Sequence, residues 1–312
     1  MIRDRYTAEE LLFRASKNAD DGVTNRVTPE TAGWAHLGAE TRRLRKGQRF
    51  TGKTDGNEAV FVVYGGTLHV RSNRGEWKKV GERPHVFAGM PHALYLPPDS
   101  TFDIEATSDV AEFAWATAAA SGKFGARHIT PEDVHIELRG GHNNSRQINQ
   151  IVPPGFDAER LVSVEVYTPS GNWSSYPPHK HDTHVADAKG NLLEGDLEEV
   201  YCYRFAKPNG WALQRIYTPD RTTDATVVAE DGDIVLVPFG YHPVSTGYGY
   251  DCYYLNFLAG SAQTLAATDD PAHTWVKETW TAMDPRVPMV THRAKSAAPP
   301  TFADEDDTLL KS

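Results

Sequence analysis

Cysteine is nearly absent from this chain of 312 residues: only Cys202 and Cys252 occur. Two cysteines cannot form a disulfide framework, and both lie in strand-like runs that read as reduced, buried thiols. No stretch approaches the about 18 consecutive apolar residues that a membrane-crossing helix needs. The opening MIRDRYTAEE lacks an apolar signal region, so a cytoplasmic location is expected. On that reading the Asn143-Asn144-Ser145 and Asn172-Trp173-Ser174 matches to a glycosylation signal are coincidental. Positive charge is not in excess either. Lys and Arg number 32 against 42 Asp and Glu, a formal charge of −10, which argues against nucleic-acid and anionic-membrane partners. Helical periodicity is also scarce.

Short alternating or β-branched runs take its place, among them Ala59–Tyr64, Thr67–Val70, Ala93–Leu96, Glu112–Trp115, Val134–Leu138, Leu161–Tyr167, Val200–Phe205, Ala212–Tyr217, Ile234–Val237 and Tyr253–Leu258. Gly65-Gly66, Pro97-Pro98-Asp99, Pro153-Pro154-Gly155, Pro208-Asn209-Gly210 and Asp231-Gly232-Asp233 separate them as turns. This spacing predicts an all-β barrel or sandwich protein. A capping box, Thr7-Ala8-Glu9-Glu10, followed by Leu11, Leu12 and Phe13, predicts one short N-terminal helix.

A faint internal repeat relates the two halves. Leu236-Val237-Pro238-Phe239-Gly240 echoes Tyr95-Leu96-Pro97-Pro98-Asp99, and Glu199 before its strand echoes Glu58. The economical reading is two copies of one barrel, at residues 25–125 and 150–290, followed by a mobile Ala/Pro/Asp-rich tail at 291–312.

The chemistry concentrates in the second copy. His179 and His181 in Pro177-Pro178-His179-Lys180-His181 are two apart, so on a strand both imidazoles share a face. Two same-face imidazoles make half of a metal site. Glu198-Glu199 then offers a carboxylate, and Pro238-Phe239-Gly240-Tyr241-His242 places a third histidine after a tight turn. Strand alternation favours Glu199 over Glu198, because Glu199 shares a face with Tyr201, Tyr203 and Phe205. The face of Glu198 also carries apolar residues, so alternation leaves the choice open. HxH, then Glu, then PxGxH resembles the metal-site pattern of cupins. The first copy has no histidine pair before Glu58, and Thr101 stands where His242 stands. It is expected to hold no metal and to cover the second copy's apolar surface. The remaining histidines, His184 included, lack ligand spacing.

A narrower resemblance covers roughly residues 42–288. Gly171-Asn172-Trp173-Ser174-Ser175-Tyr176 leading into the histidine pair resembles the bacterial 5-deoxy-glucuronate isomerase family of myo-inositol breakdown. So do Glu198-Glu199-Val200-Tyr201-Cys202-Tyr203-Arg204-Phe205, Gln214-Arg215-Ile216-Tyr217, Gly240-Tyr241-His242-Pro243, Asn143-Asn144-Ser145-Arg146 and Asp284-Pro285-Arg286. A more distant relative is 4-deoxy-L-threo-5-hexosulose-uronate ketol-isomerase. The resemblance implies two cupin (jelly-roll) barrels in tandem and an aldose–ketose isomerisation. It also implies that Glu199, directly before the Val-Tyr-x-Tyr run, is the carboxylate ligand beside His179, His181 and His242. The chain departs from general cupins in that Glu199 follows His181 by 18 residues (199 − 181). Residues 183–197 are therefore expected to loop out.

Such a site implies a divalent ion, with Zn, Mn, Fe and Ni all compatible. A sugar acid is the implied small-molecule partner, and nothing in the sequence fixes or opposes a homo-oligomer. The expected chemistry is proton transfer between C2 and C1 through an ene-diol. Tyr203, Tyr217 and Tyr241 are candidate catalytic residues, with Tyr201 a further wall residue. Arg215, Lys180 and Arg204 are candidates for the substrate carboxylate, Arg215 foremost. The alternatives are an iron-dependent cupin dioxygenase using the same ligand set, an isomerase of another uronate-type sugar, and a bicupin without enzymatic activity.

Overall fold

The structure, a computed structural model, describes residues 3–16 and 21–292. The expected tail at 291–312 lies almost wholly outside the described residues. Antiparallel strands dominate. Among the described residues the only α-helix is the four-residue Pro29–Ala32, accompanied by four short 3-10 segments. No helix among them is long and apolar enough to cross a membrane.

Each half folds as two antiparallel sheets facing one another. In the first half the strands Arg127–Ile129, Ala93–Leu96, Asn57–Gly65, Val110–Ala119, Gly38–Arg45 and Val23–Val27 lie side by side. They face a four-stranded sheet of Arg49–Lys53, Thr101–Ala106, Leu68–Ser72 and Gly75–Val80. In the second half Ile234–Val237, Leu192–Phe205, Cys252–Gly260, Val162–Thr168, Arg146–Val152 and His135–Arg139 form the larger sheet. Trp173–Ser174, Val244–Thr246, Trp211–Tyr217 and Asp224–Glu230 form the smaller one. The two larger sheets also pack on each other. Ala59, Phe61 and Val63 point into the first barrel with Phe102 and Phe113, while Val60, Val62 and Tyr64 join a core shared with Val200, Cys202 and Tyr253. Central strands therefore bury both faces, one in their own barrel and one against the other barrel.

Three expectations need correction. The Thr7 capping box forms, with Thr7 N donating to Glu10 Oε2 at 2.8 Å and Glu10 N to Thr7 Oγ1 at 3.3 Å. It closes a turn and no helix follows. Leu12–Phe13 instead pairs with Ile234 and Val235 at the edge of the second half's sheet, where strand pairing and burial outweigh a local helix signal. Residues 183–197 do not loop out either. Asp182–Ala186 pairs back on Leu192–Phe205 as a hairpin arm, so the strand that carries Glu199 starts well before it.

The third correction concerns the repeat. Glu58 lies opposite Ala118 and Ala59 opposite Leu96, while Glu198 lies opposite Ala259 and Glu199 opposite Val237. The structural equivalent of Glu58 is thus Glu198, and Ala59 stands where Glu199 stands. The paired glutamates form a reciprocal clasp. Glu58 accepts from the backbone N–H groups of Glu159, Arg160 and Leu161 and from Tyr95 OH. Glu198 accepts from those of Ala35, His36 and Leu37. Each half thereby ties down a loop of the other. Glu58→Gln is expected to leave bound metal unchanged while lowering stability by about 1–3 kcal/mol, since a buried charged acceptor is lost. Loss of a metal equivalent in that variant would contradict this placement.

Candidate metal centre

The second barrel's interior gathers three buried donors. His181, Glu199 and His242 present ligand atoms that all lie within 4.8 Å of one another. His181 Nε2 is 3.0 Å and His242 Nε2 3.4 Å from the same Glu199 oxygen. The His179 ring centroid lies 4.7 Å from that of His242 and 6.3 Å from that of His181. The structure thus brings three of the four expected ligands within 4.8 Å of one another, with the His179 ring packed beside them.

Backbone carbonyls set the histidine tautomers. Nδ1 of His181 donates to Leu197 O at 3.2 Å, and Nδ1 of His242 donates to Gly240 O at 2.9 Å. His242 Nε2 is then left without a hydrogen and directed inward, while His181 Nε2 faces Glu199 Oε2, so both ring nitrogens point at the carboxylate. Gly240 makes the turn possible. Its φ is +82°, and a Cβ there would meet Tyr217 O at 2.6 Å. Asp182 Oδ2 accepts from its N–H at 2.7 Å.

The electrostatics suit a cation. Burial lowers His242 to about 3, with His181 nearby adding to the effect. Burial, followed by His242 and His181, also places His179 well below the ordinary histidine range. Burial opposes charge on His181 most strongly, but the hydrogen bond and charge of Glu199 and the backbone contacts together raise that imidazole. Burial raises the Glu199 carboxyl. His242 Nε2 is fully buried with no hydrogen-bond partner, and such orphaned atoms are rare unless something binds there. Three imidazoles and one carboxylate, with one nitrogen orphaned, fit a divalent ion.

The remaining candidates are dispersed. Tyr203 lines the barrel beside Tyr201, its OH donating to Gln214 Oε1 at 2.9 Å. Tyr217 OH donates to Asp270 Oδ2 at 2.6 Å and its ring packs on Tyr241. Lys180 is matched by Asp182 at 2.7 Å and Glu194 at 2.5 Å. Arg215 and Arg204 are not brought to the centre. Arg215 alternates outward from Gln214 and forks onto Asp224 at 2.8 and 2.7 Å. Arg204 shares the Glu198–Cys202 face and lies over the Tyr64 ring of the first barrel, 4.8 Å from its centroid. Strand parity sends both away from the Glu199 face.

Other groups line the centre without having been singled out. Ser175 Oγ lies 3.1 Å from Tyr201 OH and Ser174 Oγ 2.6 Å from Tyr254 OH. Arg146 stands near them on a strand that charged and amide residues conceal. The signal available for Arg146 was its two-residue spacing from Ile148. The loop bearing Ser174 and Ser175 is clamped through Asn172, which donates to Asp284 Oδ2 at 3.1 Å and accepts from Arg286 Nη2 at 3.0 Å.

That clamp yields a pH dependence. Arg286 beside Asp284 lowers its carboxyl from the ordinary value to about 2. The carboxyl is depressed in the folded state, so its stabilisation is present above about pH 4, its unfolded value, and disappears as pH falls toward about 2. Asp284→Asn is expected to lose about 2 kcal/mol at pH 7. In thermal melts the gap to the parent protein narrows steadily below about pH 4, and a gap independent of pH would refute the assignment.

Two antiparallel barrels in tandem, one enclosing a His/His/Glu/His cluster, define a bicupin with a candidate metal centre. The model of the KduI/IolB family matches residues 11–276, and the chain belongs to that family. The 5-deoxy-glucuronate isomerase of Geobacillus thermodenitrificans (strain NG80-2) is 42% identical over 261 residues, spanning 83% of this chain and 93% of the relative. That of Bacillus subtilis (strain 168) is 35% identical over 268 residues, 84% of this chain and 96% of the relative. An IolB-like protein from Salmonella typhimurium LT2, solved by crystallography, superposes with a TM-score of 0.81 at 36% identity, covering 85% of this chain and 98% of that one. A variant of Bacillus subtilis oxalate decarboxylase superposes at 0.57 with 14% identity over 86% of this chain and 81% of its own, a likeness of fold alone.

Proposed function

We propose that this protein is an aldose–ketose isomerase that converts 5-deoxy-D-glucuronate to 5-dehydro-2-deoxy-D-gluconate, with His179, His181, Glu199 and His242 holding a divalent metal. The observation that carries the reading is the inward-facing donor cluster with its orphaned His242 Nε2, in a chain 42% identical over 83% of its length to a relative named for that activity. Zn, Mn, Fe and Ni all accept such a nitrogen-rich set.

A divalent ion at these residues supplies Lewis acidity toward a carbonyl and its neighbouring hydroxyl. The chain's own groups supply the rest. Isomerisation moves one proton from C2 to C1 of the aldose and a second from the C2 hydroxyl to the C1 oxygen, leaving the carbonyl on C2, so no oxidant is consumed. The Leu197 and Gly240 carbonyls hold His181 and His242 in one tautomer, which keeps the centre rigid through that change. Burial pushes the Tyr201, Tyr203 and Tyr254 phenols up. They therefore keep their protons near neutral pH and act as hydrogen-bond donors rather than bases. Tyr217 is likewise raised, by burial and then by Asp270. The packed sheets around the cluster exclude bulk water, which strengthens each of these polar contacts.

The deciding experiment is metal analysis of the purified protein together with an assay for ketose formed from 5-deoxy-glucuronate. Chelation is expected to abolish turnover and metal to restore it. Oxygen uptake on an aromatic or thiol substrate, with no ketose formed, would replace this reading with the dioxygenase alternative.

A further inference from the structure

Three arginines among the described residues are buried: Arg42, Arg83 and Arg146. Arg42 is paired with Glu40, and Arg83 forks onto Glu165. Arg146, at 4% exposure, has no such partner, and its Nη1 is buried without a hydrogen bond. The carboxylate of Glu137, which acts on its charge, is already bonded to Arg139 and Gln150. A buried, uncompensated guanidinium costs several kcal/mol. No described residue neutralises it, which points to an anionic ligand.

Strand register shows where Arg146 points. Residues directly opposite on neighbouring strands share a face of the sheet. Ile148, two residues after Arg146, lies opposite Val166, Val166 opposite Tyr254, and Tyr254 opposite Tyr203. Tyr203 alternates with Tyr201 and Glu199. Arg146 is thus on the face that carries the metal-ligand carboxylate. The intervening Gln147 faces the other way, toward Asn149 and Val290. The charge of Arg146 acts on His179, Tyr201 and Tyr254, which places it against the cluster wall. With a divalent ion and the Glu199 carboxylate the centre carries a net charge of about +1, and Arg146 adds another. A centre so charged attracts an anion.

We propose that Arg146 binds the carboxylate of the sugar-acid substrate and thereby selects a uronate over a neutral aldose. The inference rests on the isomerase reading above. The planar guanidinium matches a carboxylate through two parallel N–H···O bonds. Held at the acid end, the chain of the sugar presents its aldehyde end to the His/Glu cluster. This is the role that the sequence suggested for Arg215, Lys180 and Arg204, whose charges are taken up elsewhere or lie off this face.

The test uses the metal-loaded full chain and its Arg146→Met and Arg146→Lys variants. Substrates are 5-deoxy-glucuronate and 5-deoxyglucose, which replaces the carboxylate with hydroxymethyl. Arg146→Met is expected to retain its metal and to lose about a hundredfold in kcat/KM on the acid, mainly through KM. It should change little on the neutral sugar. Arg146→Lys keeps the charge but not the fork and falls between. Removing an unpaired buried charge should leave the Tm of the ligand-free protein equal or higher, which a merely structural arginine would not do. D-glucuronate, added as a binding probe to the metal-free protein, should raise the Tm of the parent and not that of Arg146→Met. An unchanged KM for the acid, or equal losses on both sugars with loss of metal, would overturn the proposal. A parent inactive on both sugars refutes the isomerase reading instead. The glucuronate melts still judge Arg146 in that case, and equal shifts in parent and variant would reject it.

Discussion

Glu199→Gln is expected to lose most of its bound metal and to fall by about a thousandfold or more in kcat/KM, equivalent to about 4 kcal/mol of transition-state stabilisation. The substitution barely changes shape but removes the negative charge that a divalent ion needs. Glu199 lies 3.0 Å from His181 Nε2 and 3.4 Å from His242 Nε2, so an amide there disturbs all three donors at once. The neighbouring Glu198→Gln is the control. Its carboxylate accepts three backbone N–H groups, those of Ala35, His36 and Leu37, on the opposite face of the strand. That variant should keep its metal and lose only stability, by about 1–3 kcal/mol. Metal content and thermal melts on the two proteins decide the matter. Metal lost from Glu198→Gln and kept by Glu199→Gln would show that the strand enters the barrel in the opposite phase.

The second large effect lies between the barrels. Arg83 forks onto Glu165 at 3.1 and 2.9 Å, with side chains 2% and 0% exposed. Tyr167, Tyr253 and Asn149 complete the carboxylate's bonds. Arg83→Met strands a buried carboxylate and is expected to destabilise the protein by about 3–5 kcal/mol. The double variant Arg83→Met with Glu165→Met should recover part of that loss, because an apolar pair leaves no buried charge. Denaturant unfolding of the parent, single and double variants checks this. A single variant as stable as the parent would mean that the pair is not what holds the two halves together.

Donor chemistry explains why the candidate metal site was more legible in the sequence than the proposed substrate arginine. A metal needs particular donor types at particular spacings, so His179, His181 and His242 stand out before any fold is known. A carboxylate-binding arginine carries no such spacing. Arg215, Lys180 and Arg204 were the candidates the sequence offered, Arg146 stood only within a family motif, and the sheet register separates them. The Arg146–Val152 strand was hidden because RQINQIV mixes charged and amide residues with its apolar ones. Both of its faces are nevertheless almost wholly buried, with Gln147 bonded to Val290 and Asn149 to Glu165 and to Met90 of the other barrel. The strands Gly38–Arg45 and Arg49–Lys53 were missed for a similar reason, since their charged side chains mask the alternation.

By itself the sequence determined the all-β class, the doubling of one barrel and the confinement of the His/Glu/His pattern to the second copy. These follow from residue type and periodicity, which act over a few positions. The tertiary structure decided what depends on partners distant in the chain. It turned the Thr7 box into a turn that leads to an edge strand, and residues 183–197 into a hairpin arm. It matched Glu58 to Glu198, since only cross-strand pairing reveals a one-residue shift. It also left Arg146, among the described residues, as the buried arginine without a carboxylate partner, on the face of the ligand cluster. In strands buried on both sides, sequence alternation cannot say which face is the barrel interior; the register of neighbouring strands does.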